Sequence, residues 1–335
     1  MKPLYIGSVM ERSGKSTIAL GLAKSLGGAG YFKPFKESSV EFNGSAVDRD
    51  ALLMASALDL PYSPEELSPF VYDVFSPPSF DEVCAAYKQI SKEKMIIEGT
   101  RDIITGWTGN LSGMAIARDL GAEIILVSPA TSPAIDKICM LNSFMKQTPG
   151  LFKGVILNQI EDKRYIDLLE SRGISVLGAV PSMNELKRFR VSEIASLLSA
   201  EVLVEGQDTE IENVMIGAMN SESAVTQMRR MPAKALITGG DRADIQNAAL
   251  STDLACLVLT GGFQPSNAVL SLAYEQGVTV LLTSMDTMGA VETVNRHLAY
   301  ISPKDESKIL KIINAVKENV DIRRITEQAQ SQPFC

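Results

Sequence analysis

The chain has 335 residues, 45% of them apolar, and 32 Lys+Arg against 40 Asp+Glu leave a net charge of −8. That length points to about two domains, and the acidic balance argues against general binding to nucleic acid or to anionic membranes. Four scattered cysteines (Cys84, Cys139, Cys256, Cys335) without a CxxC pair disfavour a zinc site or disulfide scaffold, and no apolar run approaches the roughly 18 residues of a membrane span.

The N-terminus runs straight into a strand-like segment with no room for a signal peptide, so a cytoplasmic protein is expected. Through the first half, short apolar runs alternate with helix-period segments, the pattern of a parallel sheet covered by helices. Strands are predicted at 4–9, 95–98, 123–128 and 154–158, with a weaker one at 175–180 closed by Pro181. A helix is predicted over 16–26, where Ile18, Leu22 and Leu26 share a face, and YFKPFKE then puts Lys33 at the end of a further strand. The polar, basic SMNELKRFR stretch reads as a link, followed by a helical pattern over 191–199. Strand–helix alternation returns with 235–238, 254–260 and 278–283. The predicted organisation is a nucleotide-binding domain over 1–185, a smaller α/β domain over 186–303, and a helix with a polar tail over 304–335.

Residues 6–17, IGSVMERSGKST, carry the chemistry. Gly14-Lys15-Ser16-Thr17 opens the predicted helix directly after a strand, the context of a phosphate-binding loop. Loop N–H groups and the positive end of the helix would face phosphate oxygens. Gly14 permits close backbone approach, Lys15 reaches the outer phosphates, and the Ser16 hydroxyl can ligate Mg²⁺. The pattern also wants a glycine five positions before Gly14, where this chain has Val9. A longer loop starting at Gly7 is the expected solution.

Three further segments bear on the same site. Lys33 either lies across the phosphates from Lys15 or is, with Lys36, a solvated lysine beside a proline turn. Asp48 and Asp50 precede a helix, and each suits either an N-cap or a Mg²⁺ ligand. Glu98 ends an apolar strand, where ligands of open α/β sheets bind, and suits Mg²⁺ binding or water orientation.

Together the GKST loop, Lys33-Pro34, an Asp before a helix, Glu98-Gly99 and GVILNQ resemble dethiobiotin synthetase. Over about residues 1–300 the chain is similar to the N-terminal region of some phosphotransacetylases and their stand-alone relatives, in which a dethiobiotin-synthetase-like P-loop domain precedes a DRTGG domain. The DRTGG likeness lies in ITGGDRADIQ (237–246) and LVLTGG (257–262). The resemblance implies an α/β fold with a P-loop NTPase-type parallel sheet plus a smaller α/β DRTGG domain. It implies ATP and Mg²⁺ as cofactors: Gly14, Lys15, Ser16 and Thr17 on the phosphates, and Asp50 and Glu98 with Ser16 on the metal. Lys33 would face an acid substrate or the γ-phosphate, Asn158 the base, and Pro181 would close the base pocket. A homodimer is implied as well.

The chain departs from the synthetase at Glu37, where that family has a small hydroxyl residue that helps to hold the substrate carbamate. A carboxylate there would repel it. The TRDIITGWTG segment after Gly99 differs too, leaving Arg101 and Trp107 as ligand contacts or, for Trp107, as a packing residue. In the second domain the pairs Gly239–Gly240 and Gly261–Gly262 each follow a strand and either form an anion-binding nest, with Asp241, Arg242 and Thr260 reading a small ligand or a partner chain, or are plain structural turns. His297, the sole histidine, is placed on a helix face.

Two functions compete. The first is a regulatory module that senses nucleotide and a small metabolite and controls an acyl-phosphate enzyme in trans, tied to acetyl-CoA metabolism. The second is an ATP-dependent ligase of the dethiobiotin synthetase or cobyrinate amidase type, with Lys15 and Lys33 catalytic. With the sequence ending at 335, phosphotransacetylase activity is not expected from it alone. A P-loop relic that binds nothing tightly is the third reading.

Overall fold

The computed structural model describes residues 1–148, 150–183, 186, 188–217, 221–297 and 301–327. The chain divides into two units, one of Met1–Ser182 with Ile301–Cys335 and one of Met183–Tyr300.

The first unit contains β1 (Leu4–Ser8), β2 (Gly30–Phe32), β3 (Ser39–Phe42), β4 (Ser45–Asp48), β5 (Met95–Glu98), β6 (Glu123–Pro129), β7 (Phe152–Ile160) and β8 (Val176–Pro181). Six of these form a sheet in the order β2-β5-β1-β6-β7-β8, parallel throughout. Ile96, Ile97, Leu126, Val127, Ile156 and Leu157 are fully buried, so neighbouring residues of one strand are covered on both faces. That explains why the strands read as continuous apolar runs. β2 and β5 lie on one side of β1, and β6 to β8 on the other, so the winding reverses at β1. A ligand crevice forms beyond the C-terminal ends of strands at such a point.

Helix α1 (Lys15–Ser25) follows β1 and buries Ile18 and Leu22 on the predicted face. Its Gly21 admits a close neighbour, since a Cβ there would lie 2.4 Å from Val316 Cγ2 of the helix Glu306–Asn319. Val320 then bridges to Gly178 of β8, and Arg324 Nη1 donates to the Val176 carbonyl. The C-terminal helix is thus part of the first unit's packing. The hairpin of β3 and β4, absent from the sequence expectations, delivers Asp48 to the start of helix α2 (Arg49–Ala57).

The second unit has β9 (Phe189–Arg190), β10 (Glu201–Val204), β11 (Glu210–Ile211), β12 (Asn213–Ile216), β13 (Lys234–Gly239), β14 (Leu254–Thr260) and β15 (Thr279–Leu282). Its main sheet runs β10-β15-β14-β13-β12, with β10 antiparallel and the rest parallel. Leu236, Leu257, Leu259 and Val280 pack into one cluster, and Ala235, Ile237, Cys256, Val258 and Leu281 into another. This period of two puts one core on each face of the sheet. The sequence expectations include β13, β14 and β15 but not the edge strands β10 and β12, whose Val202 and Ile216 are exposed. The predicted link at 182–190 lies partly outside the described residues, as does the His297 side chain. No helix among the described residues is long and apolar enough to cross a membrane.

Candidate nucleotide-binding site

The phosphate loop occupies Val9–Gly14, between β1 and α1. Gly7 does not begin it: Gly7 lies within β1, paired to Leu126. This corrects the expected longer loop. Left-handed backbone falls at Arg12 (φ 58°) and Gly14 (φ 85°), not at position 9. Val9 therefore needs no glycine's freedom, and its side chain is buried. At Gly14 glycine is required twice over, because a Cβ there would sit 2.1 Å from Asn158 Nδ2. That nitrogen donates to the Ser13 carbonyl at 2.9 Å, bracing the loop from the end of β7. Asn158 is buried and its Oδ1 has no hydrogen-bond partner, so that oxygen can accept from a ligand.

Around the loop the strand ends bring together a cluster of opposite charges. Lys15 Nζ donates to the Arg101 carbonyl at 2.8 Å and to Ser8 Oγ at 3.2 Å. Ser16 Oγ donates to Glu98 Oε1 at 2.6 Å, and the Tyr31 hydroxyl donates to Glu98 Oε2 at 2.8 Å. Glu98 is fully buried. Burial first, and then repulsion from Asp50, push its pKa up to about 7, against the opposing pull of Lys33 and the Ser16 hydroxyl.

Lys33 is fully buried as well, so the solvated-lysine alternative fails. Its ammonium lies 2.5 Å from Asp50 Oδ2, 3.2 Å from Asp48 Oδ2 and 3.3 Å from Glu37 Oε2. Burial disfavours the charged amine, but Asp50 and Asp48 outweigh it and hold the lysine well above its usual range. For Asp50 burial pulls upward, and the Lys33 ammonium overcomes it to hold the carboxyl below its usual range. The two aspartates divide the roles left open by the sequence. Asp48 caps α2, accepting from the N–H groups of Asp50 and Ala51 at 3.0 Å each, and also from Glu37 N–H at 2.9 Å. Asp50 faces Lys33.

The cluster thus sets two ammonium groups, Lys15 and Lys33, among Glu37, Asp48, Asp50 and Glu98. Burial raises Glu98 first, and repulsion from Asp50 adds to it. Among the described residues no three or more His, Cys, Asp or Glu side chains form a metal cage by themselves. Mg²⁺ does not ask for one: it takes one or two carboxylates together with phosphate oxygens and water. The Ser16 hydroxyl, Glu98 and Asp50 offer the hard oxygen donors suited to it.

Gly14, Lys15, Ser16, Lys33, Asp50, Glu98 and Asn158 therefore converge on one place. Thr17 is half-buried in the first turn of α1, and Pro181 is exposed at the end of the edge strand β8. Sequence reasoning missed Tyr31, which reads as one more core aromatic, and Ser8. It also missed the part played by Arg101, which contributes its backbone and so leaves no side-chain signal.

In the second unit the expected backbone nest does not form. Gly240 N–H donates to the Thr260 carbonyl, Gly261 N–H to Met285 and Gly262 N–H to Thr283, so these amides are already spent on the fold. Thr260 Oγ1 bonds to the Thr238 carbonyl and to Thr287 Oγ1. Gly239 ends β13, Asp241 is exposed, and Arg242 pairs with Asp244 at 3.2 Å.

Residues 2–190 match the family model of an AAA domain, more than half of the chain. The chain belongs to this AAA-domain family. In it, the P-loop domain of this family member is followed by a DRTGG domain, matched over residues 193–297. A phosphate acetyltransferase of Nitrosomonas europaea is 26% identical across 99% of this chain and 53% of its own length. The chain spans about half the length of the phosphate acetyltransferases that it matches, 53% and 48% for two of them. The ATP-dependent dethiobiotin synthetase of Clostridium acetobutylicum is 26% identical over 58% of this chain and 92% of its own length. Among solved structures, the CBS and DRTGG domains of the regulatory region of Clostridium perfringens pyrophosphatase, complexed with the activator diadenosine tetraphosphate, align at 18% identity. That alignment covers 49% of this chain and 86% of that one, with a TM-score of 0.31.

Proposed function

We propose that this protein is a regulatory module whose P-loop domain binds ATP with Mg²⁺ and whose DRTGG domain answers to a small metabolite, controlling an acyl-phosphate enzyme in trans. The observation that carries the nucleotide half is the arrangement of Ser16, Glu98, Asp50 and Lys33 around the base of the loop. Lys15 would exchange its Arg101 contact for phosphate oxygens, and Mg²⁺, held by Ser16, Glu98 and Asp50, would neutralise charge on the phosphates. Asn158 Oδ1 would meet the base. The metabolic link rests on the similarity to phosphate acetyltransferases along almost the whole chain. Sensing is favoured over synthesis by Glu37, whose carboxylate lies against Lys33 where an acid acceptor would have to sit.

The similarity to dethiobiotin synthetase over most of that enzyme's length supports the second reading, an ATP-dependent ligase activating a carboxylate or carbamate. In it Lys15 and Lys33 would stabilise the transferring phosphoryl group. Calorimetry with ATP–Mg²⁺ on wild type and Lys15→Ala tests the shared premise, with binding expected in the first and lost in the second. Phosphate release measured with a panel of small carboxylates then separates the two readings. Turnover strongly stimulated by one acid would replace the sensor with the ligase.

A further inference from the structure

Lys33 has more carboxylate partners than its charge requires. Asp50 and Asp48 flank the ammonium at 2.5 and 3.2 Å. Asp48 is fixed in place by three backbone N–H groups, so this pair belongs to the frame of the site. Glu37 is a partner of another kind. It comes from the segment after Pro34, keeps a fifth of its side chain exposed, and points its two oxygens at two separate donors. Oε2 faces the Lys33 ammonium at 3.3 Å, and Oε1 accepts from the Arg101 backbone N–H. The carbonyl of that same Arg101 accepts from Lys15 Nζ. The Glu37 carboxylate and the phosphate-loop lysine therefore hold the same residue, one by its N–H and the other by its carbonyl. The carboxylate sits where a buried cation and a backbone amide converge, the donor set of an anion site.

We propose that Glu37 is the tethered occupant of an anion subsite formed by Lys33 Nζ and the Arg101 N–H, and that it keeps free small carboxylates out of the wild-type site. The reading deepens the sensor proposal, on which it rests for the meaning of an occupied acceptor position, but the subsite itself is defined without nucleotide. Tethering explains how the surplus charge is tolerated. A linked carboxylate reaches these donors at little entropic cost, whereas a free anion would meet the same two aspartates and lose its own translational freedom. A free acid replacing it should therefore bind weakly. Size is limited as well: the space given up is that of one side-chain carboxyl with its methylenes, which suits formate or acetate and not a long-chain acid.

The test is thermal denaturation of the full chain, without nucleotide, in formate or in chloride at matched ionic strength. Wild type, Glu37→Gln, Glu37→Ala and Glu37→Ser are compared. Formate is expected to raise the melting temperature of Glu37→Ala and Glu37→Ser saturably beyond chloride, with acetate acting similarly and hexanoate not. Wild type and Glu37→Gln, whose side chains still fill the position, are expected to respond to formate and chloride alike. Should Glu37→Ala fail to fold, Glu37→Ser decides, since its side chain is likewise too short to fill the subsite and its hydroxyl keeps the exposed segment polar. Equal formate responses in all proteins, or none in either truncated variant, overturn the subsite. Because no nucleotide is present, failure of wild type to bind ATP would sink the sensor reading and leave this result standing. ATP binding without any formate effect would remove the subsite alone.

Discussion

Lys15 Nζ and the carbonyl oxygen of Arg101 are 2.8 Å apart, so the ammonium of the phosphate loop is bonded to the segment that follows β5. Asp102 Oδ1 accepts from the N–H groups of Ile104 and Thr105, folding that segment into a turn, and Trp107 lies beyond it, edge-on to Phe144 with ring centroids 5.8 Å apart. Phosphate oxygens compete for the same ammonium and, carrying full charge, make the stronger acceptor. Adding ATP–Mg²⁺ is therefore expected to release Arg101 and change the emission of Trp107, the sole tryptophan. Lys15→Ala should abolish the response. Calorimetric binding with unchanged fluorescence would show that the segment does not follow the lysine.

Glu98 gives the stability of the protein a pH dependence of defined sign. With its pKa raised from 4.5 to about 7, the folded chain holds more protons than the unfolded chain between these values. Stability contributed by protonated Glu98 is present below about 4.5 and is lost as pH rises through about 7. Glu98→Gln removes the ionisation and keeps an acceptor for the Tyr31 hydroxyl. It is expected to be more stable than wild type at pH 8, by on the order of 3 kcal/mol, and to lose most of that advantage by pH 5. Urea denaturation across this range measures the difference.

Most of the sheet and most of the cluster were legible because both obey local rules. Strands such as Ile96–Ile97 and Leu126–Val127 are short apolar runs buried on two faces, and Glu98 and Lys33 follow directly from the strand ends that carry them. What stayed hidden depends on contacts distant in sequence. Which of the two N-cap candidates, Asp48 or Asp50, caps α2 is decided by the unanticipated hairpin of β3 and β4, which delivers Asp48 to the helix start. The predicted strand at 4–9 already held Gly7, and its pairing to Leu126 of a strand distant in sequence decides against a loop that starts there. The nest expected at Gly261–Gly262 failed because Met285 and Thr283, more than twenty residues away, supply the carbonyls that take its amides. A glycine pair after a strand says that a turn is present, not whether its N–H groups are free.

Replacing Lys33 tests the charge frame. Lys33→Met keeps much of the buried volume but leaves Asp48 and Asp50 without their shared cation. Removing one partner of a buried ion pair costs about 3 to 5 kcal/mol, and a loss of that order is expected at pH 7. The deficit should shrink as pH falls towards 4, because the abandoned carboxylates can then take up protons. A deficit independent of pH would point to packing alone.

The loop can be dissected with a double-mutant cycle on Gly14 and Asn158. Gly14→Ala suffers both a positive φ of 85° and a Cβ 2.1 Å from Asn158 Nδ2. Asn158→Ala relieves only the second and gives up the bond to Ser13. Left-handed backbone costs a non-glycine residue roughly 1 to 2 kcal/mol. The single Gly14 variant is expected to lose more than this, and the double variant to lose less than the two singles summed. ATP binding should be weakened in all three. Strict additivity would mean that the contact is relieved by loop movement.

In the second unit, Gln246 holds together the turn that sequence reading assigned to a ligand. It is fully buried, and its Nε2 donates to the carbonyls of Gly239 and Gly240 at 3.0 Å each. Gly240 cannot yield towards its neighbour, since a Cβ there would lie 1.8 Å from the Phe263 backbone oxygen. Gln246→Leu leaves two buried acceptors without their donor, each worth about 1 to 3 kcal/mol when unsatisfied. Hydrogen exchange in peptides spanning β13 and β14 should rise accordingly. Gln246→Glu provides the sharper control, because an ionised carboxylate of nearly the same shape cannot donate to either carbonyl. If Glu protected the exchange as well as Gln, the side chain's volume rather than its hydrogen bonds would be what the turn requires.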